Sequence, residues 1–415
     1  MNFPKKRFAV IHVGSRNHYI VPVVLAQAGV LKALYTDFAN VGFLKLISGL
    51  ILGLPSFFVP KAVRRLLSRN IPKEVPEDLV RVFPGVSIRN FLSQKLFPHK
   101  LKSASFYYEN EIGGHRLARL LINKNFEDCD SLYVHPCVST NAIIEASRRN
   151  MFIVYEAISH PQCQNIDVEE HLKFNMNPPV SEIDREFNLS LFLKETRHAH
   201  QILAASRYLA SGLQAIGLPK EKIFILPYGL PKNFFESPPS PIPGRVLFVG
   251  NVNLLKGIPY LAEAARILKS KNSSIEVRVV GPLQLDINTN PTFFGPNYIG
   301  QVPRGEVKRE FLQADLFVFP TLSDGFGMVL IEALHADLPI IATSNCADVV
   351  EDGINGFIVP ARDAEMLAHK ILKIVENRGL RDLMSIESRK LATKFTQDIY
   401  RENLLKIITS KSPPF

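Results

Sequence analysis

The chain has 415 residues, of which 46% are hydrophobic and 21% are charged. This length predicts about two or three domains, and this composition is that of a globular protein rather than a disordered one. The formal net charge is +10, and the four cysteines form no CxxC pair, so neither a zinc site nor a disulfide scaffold is expected.

The first half of the chain alternates predicted strands with predicted helices. A basic start and a short apolar run from Phe8 to Val13 look like a signal peptide, but the run is too short for one and reads as a buried first strand. Further elements are predicted at 18–28 (helix), 131–134 (strand), 139–150 (helix), 151–155 (strand), 181–198 (helix), 201–204 (strand) and 222–226 (strand). Ser206 is the expected N-cap of a helix that reaches Ile216.

Positive charge is concentrated early, because residues 41–124 hold 14 basic and 5 acidic residues. Such a stretch favours a negatively charged partner surface. The motifs of common nucleic-acid modules are missing, so no nucleic acid is expected and an anionic membrane is favoured, with residues 43–69 as the contact. The apolar run there is followed by Lys61, Arg64, Arg65 and Arg69. An ordinary core helix with a solvated basic end explains the same pattern.

A break in composition separates the two halves. The prolines of 236–244 prevent regular structure, as in an interdomain linker. The alternation then restarts, with strands predicted at 246–249, 275–280, 316–319 and 339–342 and helices at 258–269, 304–314, 329–336 and 364–377. The predicted domains are 1–236, a linker at 237–244, a second domain at 245–395, and a C-terminal helix within 396–415 that can pack back on the first domain.

Apolar strands that alternate with helices predict two parallel α/β sheets, each covered by helices on both faces. Ligands of such sheets bind beyond the carboxyl ends of the strands. No stretch of about 20 apolar residues is present, so no spanning helix is expected, and the predicted location is cytoplasmic, at most peripheral on the membrane.

The richest loop of the chain lies at 321–334, between a predicted strand and a predicted helix. Gly325 and Gly327 allow close backbone approach to a ligand, and the helix start presents free amides that suit a phosphate. Asp324 precedes the turn and Glu332 follows eight residues later, where its carboxylate can accept hydrogen bonds from hydroxyl groups.

This region resembles the family 4 glycosyltransferases, which have the two-lobed GT-B fold of two Rossmann-like domains across a cleft. The family signature is an acidic residue, Gly-Phe-Gly and a glutamate eight positions on, and here it reads Asp324-Gly-Phe-Gly-Met-Val-Leu-Ile-Glu332. The segments 226–230, 248–257, 338–343 and 349–360 are also similar to family segments.

The resemblance implies a retaining transfer of a hexose-type sugar from a UDP- or GDP-sugar to a saccharide, lipid or small-molecule acceptor, without metal or other cofactor. In the family, the counterpart of Lys256 neutralises the donor diphosphate, that of Asp324 binds the sugar hydroxyls and that of Glu332 binds the ribose. The implied donor-binding residues are Gly14, Gly250, Asn251, Lys256, Gly325, Phe326, Gly327, Met328, Val329 and Glu332. The predicted catalytic residues are His160, Asp324 and Glu332.

His160 follows a predicted strand of the first domain, in a region where the family places a functional histidine. A histidine in the cleft can orient or polarise the sugar or acceptor. A loop histidine with only local hydrogen bonds is the plain alternative. Glu156 is a second candidate, whereas His135 is predicted to be structural.

Two positions depart from the family pattern. The family usually has arginine where Asn251 stands, which removes one of two cations expected at the diphosphate. It often has glutamate where Asp324 stands, and the shorter side chain here predicts a shift in sugar preference.

Two other functions stay open on this sequence. One is a non-catalytic partner subunit that binds nucleotide-sugar, to which Asn251 points. The other is a nucleotide-sugar epimerase on the same scaffold, against which the spacing of Asp324 and Glu332 speaks. A dinucleotide oxidoreductase is not favoured, because the first loop has one glycine where that fingerprint needs three.

Overall fold

The protein was analysed as a computed structural model, which describes residues 6–12, 19–54, 58–59, 63–64, 67–83, 85, 117–136, 140–271 and 274–410. The described residues form two parallel sheets. The N-terminal sheet has seven strands in the order β3-β2-β1-β4-β5-β6-β7, and the C-terminal sheet has six in the order β10-β9-β8-β11-β12-β13. Each sheet with its helices is a lobe.

The described part of the N-lobe contains seven strands, six helices with defined bounds and a further helical stretch. The strands are β1 Phe8–His12, β2 Leu31–Thr36, β3 Val80–Val82, β4 Ser131–Val134, β5 Phe152–Glu156, β6 Gln201–Ala204 and β7 Ile223–Ile225. The helices are α1 Ile20–Gln27, α2 Gly42–Leu52, α3 Thr140–Arg148, α4 Cys163–Lys173, α5 Glu182–Thr196 and α6 Arg207–Ala215. Residues 117–123 are also helical.

The N-lobe core lies on both faces of its sheet, as parallel strands require. Along β1, Ala9 and Ile11 point to one face, where they pack with residues of α3 and α6. Phe8 and Val10 point to the other face, where α1 lies. This alternation follows from the two-residue repeat of a strand.

The C-lobe contains six strands and five helices, together with a final helix that leaves it. The strands are β8 Arg245–Val249, β9 Glu276–Val280, β10 Asn297–Gly300, β11 Leu316–Phe319, β12 Ile340–Ala342 and β13 Gly356–Ile358. The helices are α7 Ile258–Lys271, α8 Arg304–Gln313, α9 Met328–His335, α10 Ala364–Val375, α11 Arg378–Ala392 and α12 Gln397–Thr409.

The last helix, α12, packs on the N-lobe rather than on the C-lobe. Leu404 and Ile407 are buried among the residues of the N-lobe face that α1 also covers. Lys6 donates to the Ile408 carbonyl at 2.7 Å, and the Gln201 amide donates to the Ile407 carbonyl at 2.7 Å. The linker residues 237–244 have no helix or strand and run beside α8, where the Ser240 amide donates to the Leu312 carbonyl at 2.8 Å.

The predicted α/β class is confirmed, and most predicted elements lie within a few residues of their observed ends. Ser206 caps α6 as predicted, because its hydroxyl accepts from the Leu209 amide at 3.1 Å. The prediction missed α4, α11 and the strands β2, β3 and β10. These strands have three to six residues, and short strands carry little apolar pattern.

Of the segment 43–69, the part within α2 is not an ordinary core helix, whereas Lys61, Arg65 and residues 55–57 lie outside the described residues. Ser48 is the one buried residue of α2. Among the described parts of the chain, no helix has the length and apolar run that crossing a bilayer takes.

Candidate active site

The loop after β8 folds as a short 3-10 turn that ends at Lys256. The Asn253 side chain starts this turn by accepting from the Lys256 amide at 3.0 Å. Gly257 then adopts φ 72°, and a Cβ on it would lie 2.0 Å from the Pro320 carbonyl oxygen. Only glycine adopts this φ readily and also fits this close to Pro320, so Gly257 allows the turn with Lys256 to pack against the loop that follows β11.

Lys256 and Asp324 form an ion pair at the end of the C-lobe sheet. The Lys256 Nζ lies 2.6 Å from Asp324 Oδ2, and both side chains are mostly shielded from solvent. Attraction between such charges is stronger than on an open surface. The structure therefore brings together the two residues predicted to bind the diphosphate and the sugar.

A second carboxylate, Asp167 on α4 of the N-lobe, interacts electrostatically with Lys256. Burial raises the pKa of Asp167, and the positive charges of His171 and Lys256 oppose that rise. The helix that carries Asp167 packs on the turn containing Lys256. The charge of Lys256 thus interacts with acidic groups from both lobes.

The loop from Asp324 to Gly327 is held by contacts on both sides. The Asp324 amide donates to the Asn345 carbonyl at 2.9 Å, and the Phe326 amide donates to the Asp324 carboxylate at 3.1 Å. Gly327 has φ 80°, and a Cβ on it would lie 2.9 Å from the Phe319 ring. The turn is thus fixed by the Asp324 side chain and by the backbone conformation of Gly327.

Gly325 lies where the two lobes meet. Its carbonyl accepts from the Ser206 hydroxyl at 2.6 Å, and a Cβ on it would lie 1.9 Å from the Ile158 carbonyl oxygen. Ile158 and Ser206 follow β5 and β6, so the carboxyl ends of the two sheets touch here. Gly325 is buried, and its lack of a side chain is what permits this approach.

Helix α9 begins at Met328, directly after the turn. The first amides of a helix have no acceptor within the helix, which here applies to Met328 and Val329. Both residues are only partly buried. The helix start therefore directs backbone donors and the positive end of a dipole out of the turn, which suits a phosphate.

Glu332 lies one turn further along α9, inside the helix as predicted. Burial raises its pKa to about 7, and the charges of Arg304 and Lys308 oppose the rise. The Arg304 guanidinium is 3.8 Å from the Glu332 carboxylate and is largely exposed. A shielded carboxyl group with basic neighbours can accept hydrogen bonds from ligand hydroxyls.

His160 lies at the interface between the lobes, but its ring packs on α6. The ring stacks on Tyr208 with centroids 4.2 Å apart, and a Cβ on Gly212 would lie 2.1 Å from its Nε2. Its Nδ1 accepts from the Gln162 amide at 3.2 Å, and burial lowers its pKa. The Tyr208 hydroxyl in turn donates to the Ser323 hydroxyl at 3.0 Å, beside Asp324.

Glu156 is buried at the carboxyl end of β5 and is held by tyrosines. The Tyr228 hydroxyl donates to it at 2.5 Å, and the Tyr133 hydroxyl donates to its other oxygen. His135 Nδ1 lies 3.6 Å from the same carboxylate. The Tyr228 ring meets the Phe326 ring edge to face, with centroids 5.1 Å apart, so this cluster touches the loop after β11.

The remaining predicted residues lie in two places. Gly250 ends β8, where its amide donates to the Val280 carbonyl at 3.0 Å, and Asn251 beside it is exposed. Gly14 lies outside the described residues. Asp167 and Tyr208 were missed, because their positions near Asp324 depend on how the lobes pack. Within the described ranges, no group of three or more His, Cys, Asp or Glu residues could hold a metal ion.

Residues 231–391 match the family model described as glycosyl transferases group 1. The chain is 27% identical over 227 residues to the amylovoran biosynthesis glycosyltransferase AmsK of Erwinia amylovora, which covers 50% of this chain and 55% of that protein. It is 30% identical over 165 residues to the capsular polysaccharide biosynthesis glycosyltransferase CapM of Staphylococcus aureus, which covers 38% of this chain and 43% of that one. The chain thus spans about half the length of these relatives.

Solved structures resemble the whole chain. Anabaena Alr3699/HepE in complex with UDP and glucose is 14% identical, with a TM-score of 0.61, and the match covers 97% of this chain and 99% of that one. The sucrose-phosphate synthase of Thermosynechococcus elongatus is 15% identical, with a TM-score of 0.62, and the match covers 97% and 98%. At such low identity the likeness concerns the fold, and the GT-B prediction is confirmed.

Proposed function

We propose that this chain, a member of the group 1 glycosyltransferases by its C-terminal domain, transfers a sugar from a nucleotide-sugar donor to an acceptor bound by the N-lobe. The observation that carries the proposal lies at the carboxyl end of the C-lobe sheet. There Lys256 pairs with Asp324 in the loop after β11, and this loop leads into α9, which carries Glu332.

Each part of this arrangement suits one part of a nucleotide-sugar. Lys256 and the first amides of α9 suit a diphosphate, because both direct positive charge to one point. Asp324 suits the hydroxyls of the sugar, and Glu332 suits the diol of a ribose. Arg304, largely exposed beside Glu332, is the cation that can replace the arginine that the family usually has where Asn251 stands.

During transfer the bond between the sugar carbon and the diphosphate oxygen breaks, with its electron pair passing to that oxygen, while the acceptor oxygen bonds to the carbon and its proton passes to the departing diphosphate. Negative charge grows on the departing diphosphate, and fixed donors aimed at it lower the barrier. Lys256 must release Asp324 to meet that charge, so donor binding frees the Asp324 carboxylate for the sugar. Retention of configuration and independence of metal follow from the family resemblance and are part of the proposal.

The donor we propose is a UDP-sugar. The structure of Alr3699/HepE, which shares this fold, holds UDP and glucose. The acceptor we propose is a growing saccharide, since the relatives AmsK and CapM are named for amylovoran and capsular polysaccharide biosynthesis. His160 is connected to this site by its own loop, because the Ile158 carbonyl of that loop lies against Gly325. The ring of His160 is held by Tyr208.

The test is nucleotide binding by Lys256→Met, measured by titration calorimetry with UDP, GDP and ADP. Loss of a charged contact to diphosphate should weaken UDP binding by about 30-fold, because a hydrogen bond to a charged group is worth about 2 kcal/mol. The matched control is Lys269→Met, an exposed lysine at the far end of α7 that should bind like wild type.

Wild-type protein that binds no nucleoside diphosphate, or a Lys256→Met variant that binds as tightly as wild type, would contradict the proposal. Incubation of donor sugars without acceptor separates the other enzyme class, because an epimerase would return a changed nucleotide-sugar. A partner subunit would bind UDP but transfer nothing in the presence of saccharide acceptors.

A further inference from the structure

Helix α2 turns an apolar face to solvent. Phe43 is 73% exposed, Leu46 67% and Leu50 76%. These residues are spaced three and four apart, so they lie on one side of the helix. Leu54 and Phe58, which follow the helix, are exposed as well. A contiguous apolar surface of this kind on a folded chain marks an interaction site.

Basic residues predominate in the sequence that contains this face. Residues 41–70 hold five basic residues and no acidic one. Lys45 lies on α2 itself and is exposed, with Glu77 at 3.8 Å as a solvent-exposed neighbour. An apolar face beside a cationic cluster is the pattern of an element that lies in the surface of an anionic bilayer.

Two arginines of the same segment fix its position. Arg69 pairs with the buried Asp37 at 2.9 Å, directly after β2. Arg64 donates to the Leu54 carbonyl at 2.7 Å, just beyond the end of α2. These contacts hold α2 at the carboxyl end of the N-lobe sheet, the edge at which Glu156 also lies.

We propose that the face of α2 formed by Phe43, Leu46 and Leu50 docks this protein on an anionic lipid bilayer. An 11-residue helix is about 16 Å long, which suits lying in the interface and is too short to span. Pairing with a second copy is disfavoured, because a twofold interface on this face would bring the exposed Lys45 of both copies together.

Docking by this face determines the class of acceptor, an extension that rests on the proposed function. The bilayer would lie at the edge of the N-lobe sheet where an acceptor enters. An acceptor anchored in the membrane, such as a saccharide linked to a lipid, would be presented to that edge.

The experiment is co-sedimentation of the full chain with vesicles of phosphatidylcholine that contain phosphatidylglycerol at about one third of the lipid. The variant F43S/L46S/L50S should bind about 100-fold more weakly, because each side chain that leaves water contributes several-fold to partitioning. Vesicles of phosphatidylcholine alone, or about 1 M salt, should weaken wild-type binding as well.

The matched control is I183S/F187S on α5, which removes two exposed apolar residues that lie far from the basic segment in sequence and should bind vesicles like wild type. Wild type, F43S/L46S/L50S and I183S/F187S should all bind UDP equally well. A failure to bind vesicles is therefore distinguishable from a failure of the donor site. Wild type that stays in solution, a triple variant that sediments fully, or a dimer that the triple variant abolishes would each overturn the proposal.

Discussion

Glu332 is the residue through which pH acts on the donor site. Burial raises its pKa to about 7, so the folded protein retains a proton on this carboxyl group that the unfolded chain loses at lower pH. A carboxyl group whose folded pKa is raised contributes stability that is fully present below the unfolded pKa and is lost as pH rises through the folded pKa.

We therefore predict that Glu332→Gln removes a pH-dependent loss of stability. From pH 5 to pH 8 the free energy of unfolding of the variant should rise relative to wild type by about 3 kcal/mol, because burial of an ionised carboxylate is avoided. Urea unfolding at several pH values measures this difference. The control is Glu306→Gln on α8, an exposed glutamate whose effect should be flat across the range.

Two of the site residues that the sequence predicts, Asp324 and Glu332, share one motif. Asp324 and Glu332 are eight positions apart on a strand, turn and helix, so local structure is enough to place them. Asp167 and Tyr208 come to the same site from 157 and 116 residues upstream of Asp324. Their contribution depends on how the lobes pack, which local patterns do not report.

At the scale of elements, α4 is the N-lobe helix that joins the lobes. Its buried Glu170 accepts from the Tyr260 hydroxyl of α7 at 2.8 Å and from the Arg362 guanidinium. Lys173 donates to the same Tyr260 hydroxyl at 2.8 Å. This network holds α4, and with it Asp167, against the turn of Lys256.

We predict that Glu170→Gln destabilises the protein by about 2 kcal/mol, because hydrogen bonds to a buried charge are replaced by weaker neutral ones. Chemical unfolding measures the change. Glu169→Gln is the matched control, because Glu169 is exposed and lies 3.6 Å from the same Arg362, and a surface pair of this kind contributes under about 1 kcal/mol. Equal effects of the two variants would show that the buried network does not hold the lobes.

The sequence did not predict α4, and the reason is physical. Of its residues only Val168 and Glu170 are buried, so no apolar repeat marks the helix. Helix α10, by contrast, buries Leu367, Ala368 and Ile371 on one side and was predicted from its period. A helix that buries few apolar residues shows no clear apolar repeat in its sequence.

At the scale of the whole molecule, α12 ties the end of the chain to its beginning. Leu404 is fully buried in the N-lobe core, although α11 before it packs on the C-lobe. The chain therefore crosses between the lobes twice, once through the linker and once between α11 and α12.

We predict that Leu404→Ala lowers the free energy of unfolding by about 3 kcal/mol, because it leaves a cavity in the N-lobe core. Since α12 links the lobes, the variant should unfold in one transition, as seen by circular dichroism and by calorimetry. Glu402→Ala, on the exposed side of the same helix, should unfold like wild type. Two separate transitions in the Leu404 variant would contradict the linkage.

The overall architecture is the part of this fold that was most accessible to prediction. Strands such as β8 and β11 are continuous apolar runs, and their alternation with helices is sufficient to specify parallel sheets. The contact of Gly325 with the Ile158 carbonyl was not predictable in this way, because it joins two loops from different lobes.

The packing of α4 and of the residues that follow it bears on any attempt to recombine lobes between relatives. Ile166, Phe174 and Met176 come from the N-terminal half of the chain, yet they pack on the hydrophobic core of the C-lobe. A chimaera cut at the proline-rich linker would bring a foreign N-half and so exchange these residues together with the acceptor site. Transplants intended to change acceptor choice should therefore retain the native residues 163–176 as part of the donor half.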